Sequence, residues 1–274
     1  MKLKVRRITI WRVNGAYRLQ AASEIAVGNL LEGKVQSMIV FGEWNLKGRV
    51  LGFYQSSQGY EDVVARRATG GGSMLVEKPT SYAAVITPTT SLRATIDMAK
   101  EISDCLGVGF AGATRIGPMT LSAGVIEFIG DFTLDSLVDC SKVIARRPRI
   151  VERGPPEDRI TEVAKAYATR SWIHYDGASS LPMVGEAVRG DYRVRIGVSL
   201  FEDKFISTAR IDGNFFAAPP AEPYSTIAGI QGMPLGDQVF LALEARFSAG
   251  LELYGIEPED ITLALKKAVG LYDE

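Results

Sequence analysis

The chain has 274 residues, 46% of them hydrophobic and 23% charged, with 31 basic against 32 acidic side chains. This length can bury a substantial core, as one large domain or a large and a small one. The near-zero net charge gives no general electrostatic attraction to nucleic acid or to a membrane surface, so we expect neither partner. Cys105 and Cys140 are too few for a disulfide framework, which favours a reducing compartment.

The N-terminus shows no signal-peptide pattern, and no apolar run reaches the ~18 residues of a spanning helix. We therefore expect a cytoplasmic protein.

Residue periodicity predicts a series of strands and helices in the first part of the chain. In chain order they are a strand at 8–13, a helix at 15–30, strands at 38–41, 50–54, 73–76 and 81–87, a helix at 92–106 and a strand at 125–129. Asn45 and Gly48 predict that the strands at 38–41 and 50–54 form a hairpin, and Lys78-Pro79 joins the next pair. Ser91 can cap the helix at 92–106, and Gly107 can end it.

The pattern changes in the second part of the chain. A charged, proline-rich connector at 146–156 precedes a helix that contains Ile160, Val163 and Tyr167 at helical spacing. Beyond the Gly- and Ser-rich stretch at 177–190, period-two alternation predicts strands at 192–200 and 205–210, and two helices follow at 240–251 and 258–268. We therefore expect two domains, 1–185 and 186–274.

The segment 63–75 has a specific chemical character. Gly70, Gly71 and Gly72 allow positive φ and a close approach of the backbone to a ligand, with N–H groups able to face an anion. Arg66 and Arg67 add planar, permanently charged donors for phosphate or carboxylate. The alternative is a flexible hairpin loop with a solvated charge pair.

Arg66-Arg67-x-x-Gly70-Gly71-Gly72 is similar to the signature loop of lipoate protein ligases, which octanoyltransferases and biotin protein ligases share in looser form. The resemblance continues upstream at Trp11, Gly15-Ala16 and Glu24, and downstream in residues 191–216. It implies an α+β (α/β) fold with a mixed sheet flanked by helices at 1–185. It also implies that 186–274 is the small α+β accessory domain of the family.

The resemblance also implies a chemistry. Such ligases bind ATP and Mg²⁺, form lipoyl-AMP or another acyl-adenylate, and pass the acyl group to a lysine of a carrier domain of the H-protein or E2 type. Arg66, Arg67 and Ser73, with the three glycines Gly70, Gly71 and Gly72, are then expected to bind the ligand. The implied reaction is attachment of lipoyl or octanoyl groups.

The chain departs from the family where catalysis is concentrated. The active-site lysine is expected after the helix at 92–106, yet no lysine lies between Lys100 and Lys142. Thr120 best matches the vacant position, and Arg115 could supply the charge with a different geometry. Two expected histidines are replaced by Val76 and by Ile129 of an Ile-Gly pair, which indicates a drier, less charged pocket.

Two alternatives therefore stand beside the ligase. One is a non-catalytic relative that binds a small acyl ligand, a carrier domain or a partner subunit. The other is an ATP-independent transferase with Cys140 as nucleophile, activated by Lys142. Asp131 and Asp135 have no spacing diagnostic of Mg²⁺, so no metal site is assigned.

Overall fold

The computed structural model describes residues 5–118, 121–145 and 148–271. The strands of its first part are β1 Arg7–Arg12, β2 Met38–Trp44, β3 Gly48–Leu51, β4 Val63–Arg66, β5 Met74–Val76, β6 Thr80–Thr89, β7 Phe110–Ile116, β8 Ser122–Gly130 and β9 Arg149–Glu152. The helices of this part are α1 Ala16–Leu31, α2 Leu92–Leu106, α3 Leu134–Cys140, α4 Glu157–Tyr167 and α5 Arg170–Ile173.

A six-stranded mixed sheet forms the centre of the first part, in the order β7-β8-β6-β2-β1-β9. The strands β2, β1 and β9 are parallel neighbours, whereas β6, β8 and β7 pair antiparallel. Helices cover both faces of this sheet. The expected fold class, a mixed sheet flanked by helices, is confirmed.

Successive side chains of the central strands point to opposite faces of the sheet, and each face packs in its own apolar core. On β2, Met38 and Val40 join the core under α1 and α4, whereas Ile39 joins the core under α2 and α3. Both faces of the strand are apolar because both are covered, as expected for the middle of a helix-flanked sheet.

Three predicted strand relationships are wrong. The strands β2 and β3 form no hairpin, because β2 pairs with β1 and β6 while β3 joins a separate three-stranded sheet, β4-β3-β5. The strands β5 and β6 follow each other but lie in different sheets. The predicted connector contains β9, which pairs with β1 from Arg7 opposite Arg149 to Ile10 opposite Glu152.

The helix at 92–106 is confirmed, and so are its end signals. The Ser91 side chain accepts a hydrogen bond from the Ala94 N–H at 3.1 Å, and Gly107 ends the helix at φ 69°. Helix α4 begins directly after Pro155-Pro156, as predicted.

The second part contains β10 Met183–Arg189, β11 Tyr192–Phe201, β12 Phe205–Gly213, β13 Phe216–Ala218, α6 Glu222–Ala228, α7 Asp237–Ser248, β14 Glu252–Tyr254 and α8 Pro258–Ala268. The strands β10, β11 and β12 form an antiparallel sheet, and β13 pairs with β14. Strand β10 begins at Met183, just before the expected boundary at 185. The predicted strands at 192–200 and 205–210 and the two closing helices are present.

The two cysteines form a disulfide between Cys105 in α2 and Cys140 in α3. This corrects the expectation of reduced cysteines and leaves Cys140, which is buried, without the free thiol that a nucleophile needs. No local pattern predicts the pairing, because 35 residues separate the two positions. No helix in the described ranges is long and apolar enough to span a membrane.

Two glycines should respond oppositely to alanine. A Cβ at Gly185 would lie 2.0 Å from the Ala264 carbonyl oxygen, so Gly185→Ala is expected to lower the free energy of unfolding by about 1–3 kcal/mol. A Cβ at Gly28 within α1 meets nothing within 4 Å, so Gly28→Ala should raise the free energy of unfolding by about 0.5–1 kcal/mol. Urea unfolding measures the free energy of unfolding of both variants. If Gly185→Ala changed it no differently from Gly28→Ala, the close packing of α8 on β10 would be contradicted.

Candidate functional site

The triple-glycine loop follows β4 and packs against the second part of the chain. Gly71 has φ 108°, and its N–H donates to the Phe215 carbonyl oxygen at 3.1 Å. A Cβ at Gly70 would lie 2.8 Å from that oxygen, and one at Gly71 would lie 3.0 Å from the Phe216 ring. The glycines therefore allow a close approach, and the group that approaches is the Phe215-Phe216 segment.

Arg66 is buried and organises the loop after β3. Its Nη1 donates to the carbonyl oxygens of Gly52, Phe53 and Gln55 at 3.1, 2.9 and 2.6 Å. Its Nε donates to the Trp172 carbonyl oxygen at 3.0 Å. Burial lowers the pKa of Arg66 from its usual value. This guanidinium stabilises backbone carbonyls inside the protein and does not face the groove described below.

Arg67 is fully buried beneath the glycine loop. Its Nη2 donates to the Gly72 carbonyl oxygen, whereas Nε and Nη1 have no hydrogen-bond partner among the described residues. A Cβ at Gly112 would lie 2.3 Å from Nη1, so glycine is required there. Burial lowers the pKa of Arg67, and the Glu127 carboxylate opposes that change. The side chain acts as an internal cation under the loop.

The buried carboxylate of Glu127 accepts hydrogen bonds from Thr69 and Tyr82. The Tyr82 hydroxyl donates to one oxygen at 2.7 Å, and the Thr69 hydroxyl donates to the other. Burial first, and the Glu127 charge second, raise the pKa of Tyr82 well above its usual value. This network joins the loop to the centre of the six-stranded sheet.

Arg115, expected to replace the missing lysine, is buried and paired with Glu252 of β14. The distance from its Nε to the Glu252 Oε1 is 2.5 Å, and its Nη1 donates to the Gly117 carbonyl oxygen at 2.9 Å. The other Glu252 oxygen accepts the Leu92 N–H at the start of α2. The cation therefore joins the two parts of the chain. Thr120 lies outside the described residues.

An apolar groove lies where the resemblance places histidines. It has a volume of about 240 Å³ and is lined by Met74, Leu75, Val76, Glu77, Lys78, Thr80, Ile129 and Gly130. We call it the 74–80 groove. Val76 and Ile129 form its buried wall, with 4% and 3% exposure, while Leu75 is 51% exposed at its rim. Ser73 is half-buried next to it.

A larger polar cavity lies beside this groove. It has a volume of about 450 Å³ and is lined by Arg12, Asn14, Phe41, Gly42, Glu43, Pro79, Thr80, Ser81 and Asp131. We call it the polar crevice. It lies at the carboxyl ends of the parallel strands β1 and β2, an edge where α/β sheets commonly bind ligands.

The structure therefore separates the predicted site residues. Arg66, Arg67 and Arg115 are buried inside the protein, Cys140 is in a disulfide, and Ser73 directly precedes the first residue of the 74–80 groove. Sequence reasoning missed Lys78 and Glu127. The apolar replacements at Val76 and Ile129 were the available signal for the groove. The part of the chain that the structure describes holds no cluster of three or more His, Cys, Asp or Glu side chains suited to a metal ion.

Comparison with known proteins shows the fold. The structure of P. falciparum LipL1 in complex with lipoate matches with a TM-score of 0.58 and 8% identity, covering 89% of this chain and 94% of that one. A putative lipoate protein ligase from T. acidophilum, Ta0514, gives a TM-score of 0.46 at 13% identity, with 62% and 99% covered. Lipoate-protein ligase A bound with ATP gives 0.41 at 12%, with 62% and 98% covered.

No family model matches the sequence. No curated protein matches it either. The LipL1 likeness confirms the expected fold of lipoate protein ligases, and at 8% identity it shows the fold alone.

Arg66 should be a structural residue. Arg66→Ala leaves four backbone carbonyl contacts unmade in a buried region, so it is expected to lower the free energy of unfolding by about 3 kcal/mol or more. Arg93, whose side chain is 70% exposed, is the matched control, and Arg93→Ala should change stability little. Similar losses in the two variants, measured by urea unfolding, would contradict the buried role.

Stability should fall in alkali. Burial raises the pKa of Tyr82 in the folded state, so the unfolded chain releases this proton first and stability declines as pH rises through about 10. Tyr82→Phe should flatten the slope of unfolding free energy against pH above 10, whereas Tyr60→Phe, at a residue 40% exposed, should leave it unchanged. An unaltered slope in Tyr82→Phe would argue against this cause.

Proposed function

We propose that this protein binds a lipoyl or octanoyl chain in the 74–80 groove and neither activates nor transfers it. The observation that carries the proposal is the groove itself, with an apolar wall at Val76 and Ile129. The fold supports it, because the structure of LipL1, which shares this fold, contains lipoate.

The size of the groove favours an acyl chain. Pockets for drug-sized ligands usually have volumes of about 300–1,000 Å³. A groove of about 240 Å³ suits an unbranched chain of eight carbons. Burial of such a chain is favourable by roughly 0.8 kcal/mol for each CH₂ removed from water.

The distribution of charge supports binding without activation. Acyl activation requires cations held in advance at the position where negative charge develops. Arg66 and Arg67 each donate to backbone carbonyls, although Arg66 Nη2 and Arg67 Nε and Nη1 are buried without a hydrogen-bond partner among the described residues, and Arg115 is paired with Glu252. Lys78 is the cation among the groove residues, and it is an exposed, flexible ammonium that can attract a carboxylate but is not held in place.

The glycine loop does not fit a nucleotide in this arrangement. Its Gly71 N–H already donates to Phe215, and the Phe216 ring covers the position that a ligand would approach. The loop in this arrangement therefore does not fit the phosphates of ATP with Mg²⁺.

Ligand binding tests the proposal directly. Isothermal titration with octanoate and lipoate is expected to show saturable binding. Leu75→Asp places a charge on the rim of the groove and should weaken the affinity for both ligands about tenfold or more. Leu241→Asp, at an exposed position of α7, is the matched control and should bind both ligands with unchanged affinity. Equal affinities for the two variants would contradict binding in the 74–80 groove.

An activity assay tests the absence of transfer. The protein is incubated with lipoate, ATP, Mg²⁺ and a lipoyl carrier domain, and the carrier is then weighed by mass spectrometry. We expect no gain in mass. An ATP-dependent gain would restore the ligase.

A further inference from the structure

A third cavity lies between the two parts of the chain and shares no lining residue with the 74–80 groove. It has a volume of about 420 Å³. One wall is the loop after β3, with Gln55 and Tyr60, and the other is formed by β11 and β12, with Arg193, Arg195 and Asp212. Small-molecule sites are common at such junctions, and their volumes are usually about 300–1,000 Å³. We call it the arginine cavity.

Alternation along β11 places the two arginines on one face of the sheet. Val194 and Ile196 are buried in the apolar core of the second part. Arg193 and Arg195 therefore point to the opposite face, with their Cα atoms about 7 Å apart along the strand. A single ligand in the cavity can reach both guanidinium groups.

Asp212 holds Arg195 in place from behind. The two residues are direct cross-strand partners, and the Asp212 Oδ1 accepts the Arg195 Nε–H at 2.6 Å. The other carboxylate oxygen, Oδ2, accepts the Ala178 N–H at 2.7 Å, and a Cβ at Gly177 would collide with it. The Asp212 side chain is fully buried, whereas that of Arg195 is 30% exposed. A carboxylate enclosed in this way fixes the guanidinium before any ligand arrives.

The loop that forms the opposite wall is also held by buried contacts. The Ser56 hydroxyl donates to the Asp176 carbonyl oxygen at 2.7 Å. The Gln55 carbonyl oxygen accepts from the buried Arg66 at 2.6 Å. Both walls are therefore fixed to the interior of the protein, and the cavity exists without a ligand.

Several donors of the cavity remain unused. The Nη1 and Nη2 groups of Arg195 have no hydrogen-bond partner in the described ranges and, unlike the free donors of Arg67, are not enclosed by protein. Arg193 is held similarly, with its Nε 3.4 Å from the Glu186 carboxylate and its side chain 56% exposed. The Gln55 side-chain oxygen accepts the Gly52 N–H, which leaves the Gln55 amide N–H groups to donate.

These donors fit a carboxylate better than a phosphate. The two parallel N–H groups at the Nη1–Nη2 edge of a guanidinium match the two oxygens of a carboxylate. Arg193 and Arg195 each have an acidic neighbour, and Asp191 adds an exposed carboxylate to the cavity. The cavity therefore offers directed hydrogen bonds without an excess of positive charge, which suits a monoanion and disfavours a dianion.

The rest of the lining requires a hydrophilic ligand. Val188 is the one aliphatic side chain among the described residues that line the cavity. The amides of Gln55 and Gln58 and the hydroxyl of Tyr60 lie around it instead. An acyl chain would bury little apolar surface here, whereas ligand hydroxyl groups would find hydrogen-bond partners.

We propose that the arginine cavity binds a small hydrophilic carboxylate. The carboxylate lies on the Nη1–Nη2 edge of Arg195, Arg193 supplies the second cationic donor, and Asp212 is the residue that positions Arg195. This site is separate from the 74–80 groove, and neither proposal depends on the other.

Two probes with the same carbon skeleton test the recognition of the carboxylate. Gluconate is a hydrophilic monocarboxylate, and sorbitol has CH₂OH in place of its carboxylate. In NMR titrations at constant ionic strength, gluconate should shift the resonances of Gln55, Arg193 and Arg195 saturably. Sorbitol and inorganic phosphate should bind about tenfold more weakly or less. Equal binding of sorbitol, tighter binding of phosphate, or no saturable shift with gluconate would overturn the proposal.

Charge variants locate the binding. Arg195→Gln combined with Asp212→Asn removes both members of the buried pair and leaves neither charge unpaired, and it should weaken gluconate binding about tenfold or more. Arg193→Gln alters a more exposed side chain, so it should fold normally, as circular dichroism can verify, and weaken binding about threefold or more. Arg93→Gln makes the same charge change on α2, outside the cavity, and should bind gluconate unchanged. A loss as large in Arg93→Gln, or none in Arg193→Gln, would contradict the assignment.

Competition separates this site from the 74–80 groove. Saturating octanoate should leave the affinity for gluconate unchanged. Displacement of gluconate by octanoate would mean that the two ligands share one site, and the separate carboxylate site would be overturned. If gluconate binds while octanoate does not, the proposed function fails and the arginine cavity stands.

Discussion

The packing of Phe215 and Phe216 on Gly70 and Gly71 is the contact on which the arrangement of the site depends. The Gly71 N–H is held by the Phe215 carbonyl oxygen, and a side chain at Gly70 would collide with that oxygen. The second part of the chain therefore closes the loop from above. Because the loop is closed, Arg67 beneath it remains sealed from water, with Glu127 as the nearby opposite charge.

Buried charges determine what the closed loop can do. Removing a cation from water costs several kcal/mol unless protein groups replace its hydration. Arg66 meets this requirement mainly with four carbonyl contacts, and Arg115 meets it with Glu252. Neither cation can turn to a ligand without losing those partners. Arg67 keeps two donors, Nε and Nη1, without a hydrogen-bond partner among the described residues.

Local signals in the sequence predicted the elements well, and long-range pairing lay beyond them. Ser91 and Gly107 gave both ends of α2 because capping depends on neighbouring residues. The partner of β3 depends on β4 and β5, so the hairpin expected with β2 was wrong. The Arg-Arg pair beside three glycines correctly marked an unusual backbone, but no local pattern shows whether guanidinium groups face a ligand or a carbonyl. The partners of Arg66 come from residues 52–55 and from Trp172, far along the chain.

Under the proposed function, the apolar Val76 and Ile129 and the absence of a lysine between Lys100 and Lys142 have one physical explanation. An acyl chain gains from a dry wall, and an unpaired histidine at Val76 or Ile129 would have to be desolvated each time the chain entered. A lysine held in the pocket would carry a similar cost with no reaction to compensate for it. Loss of these polar groups therefore favours retention of the chain while it removes the charges that activation needs.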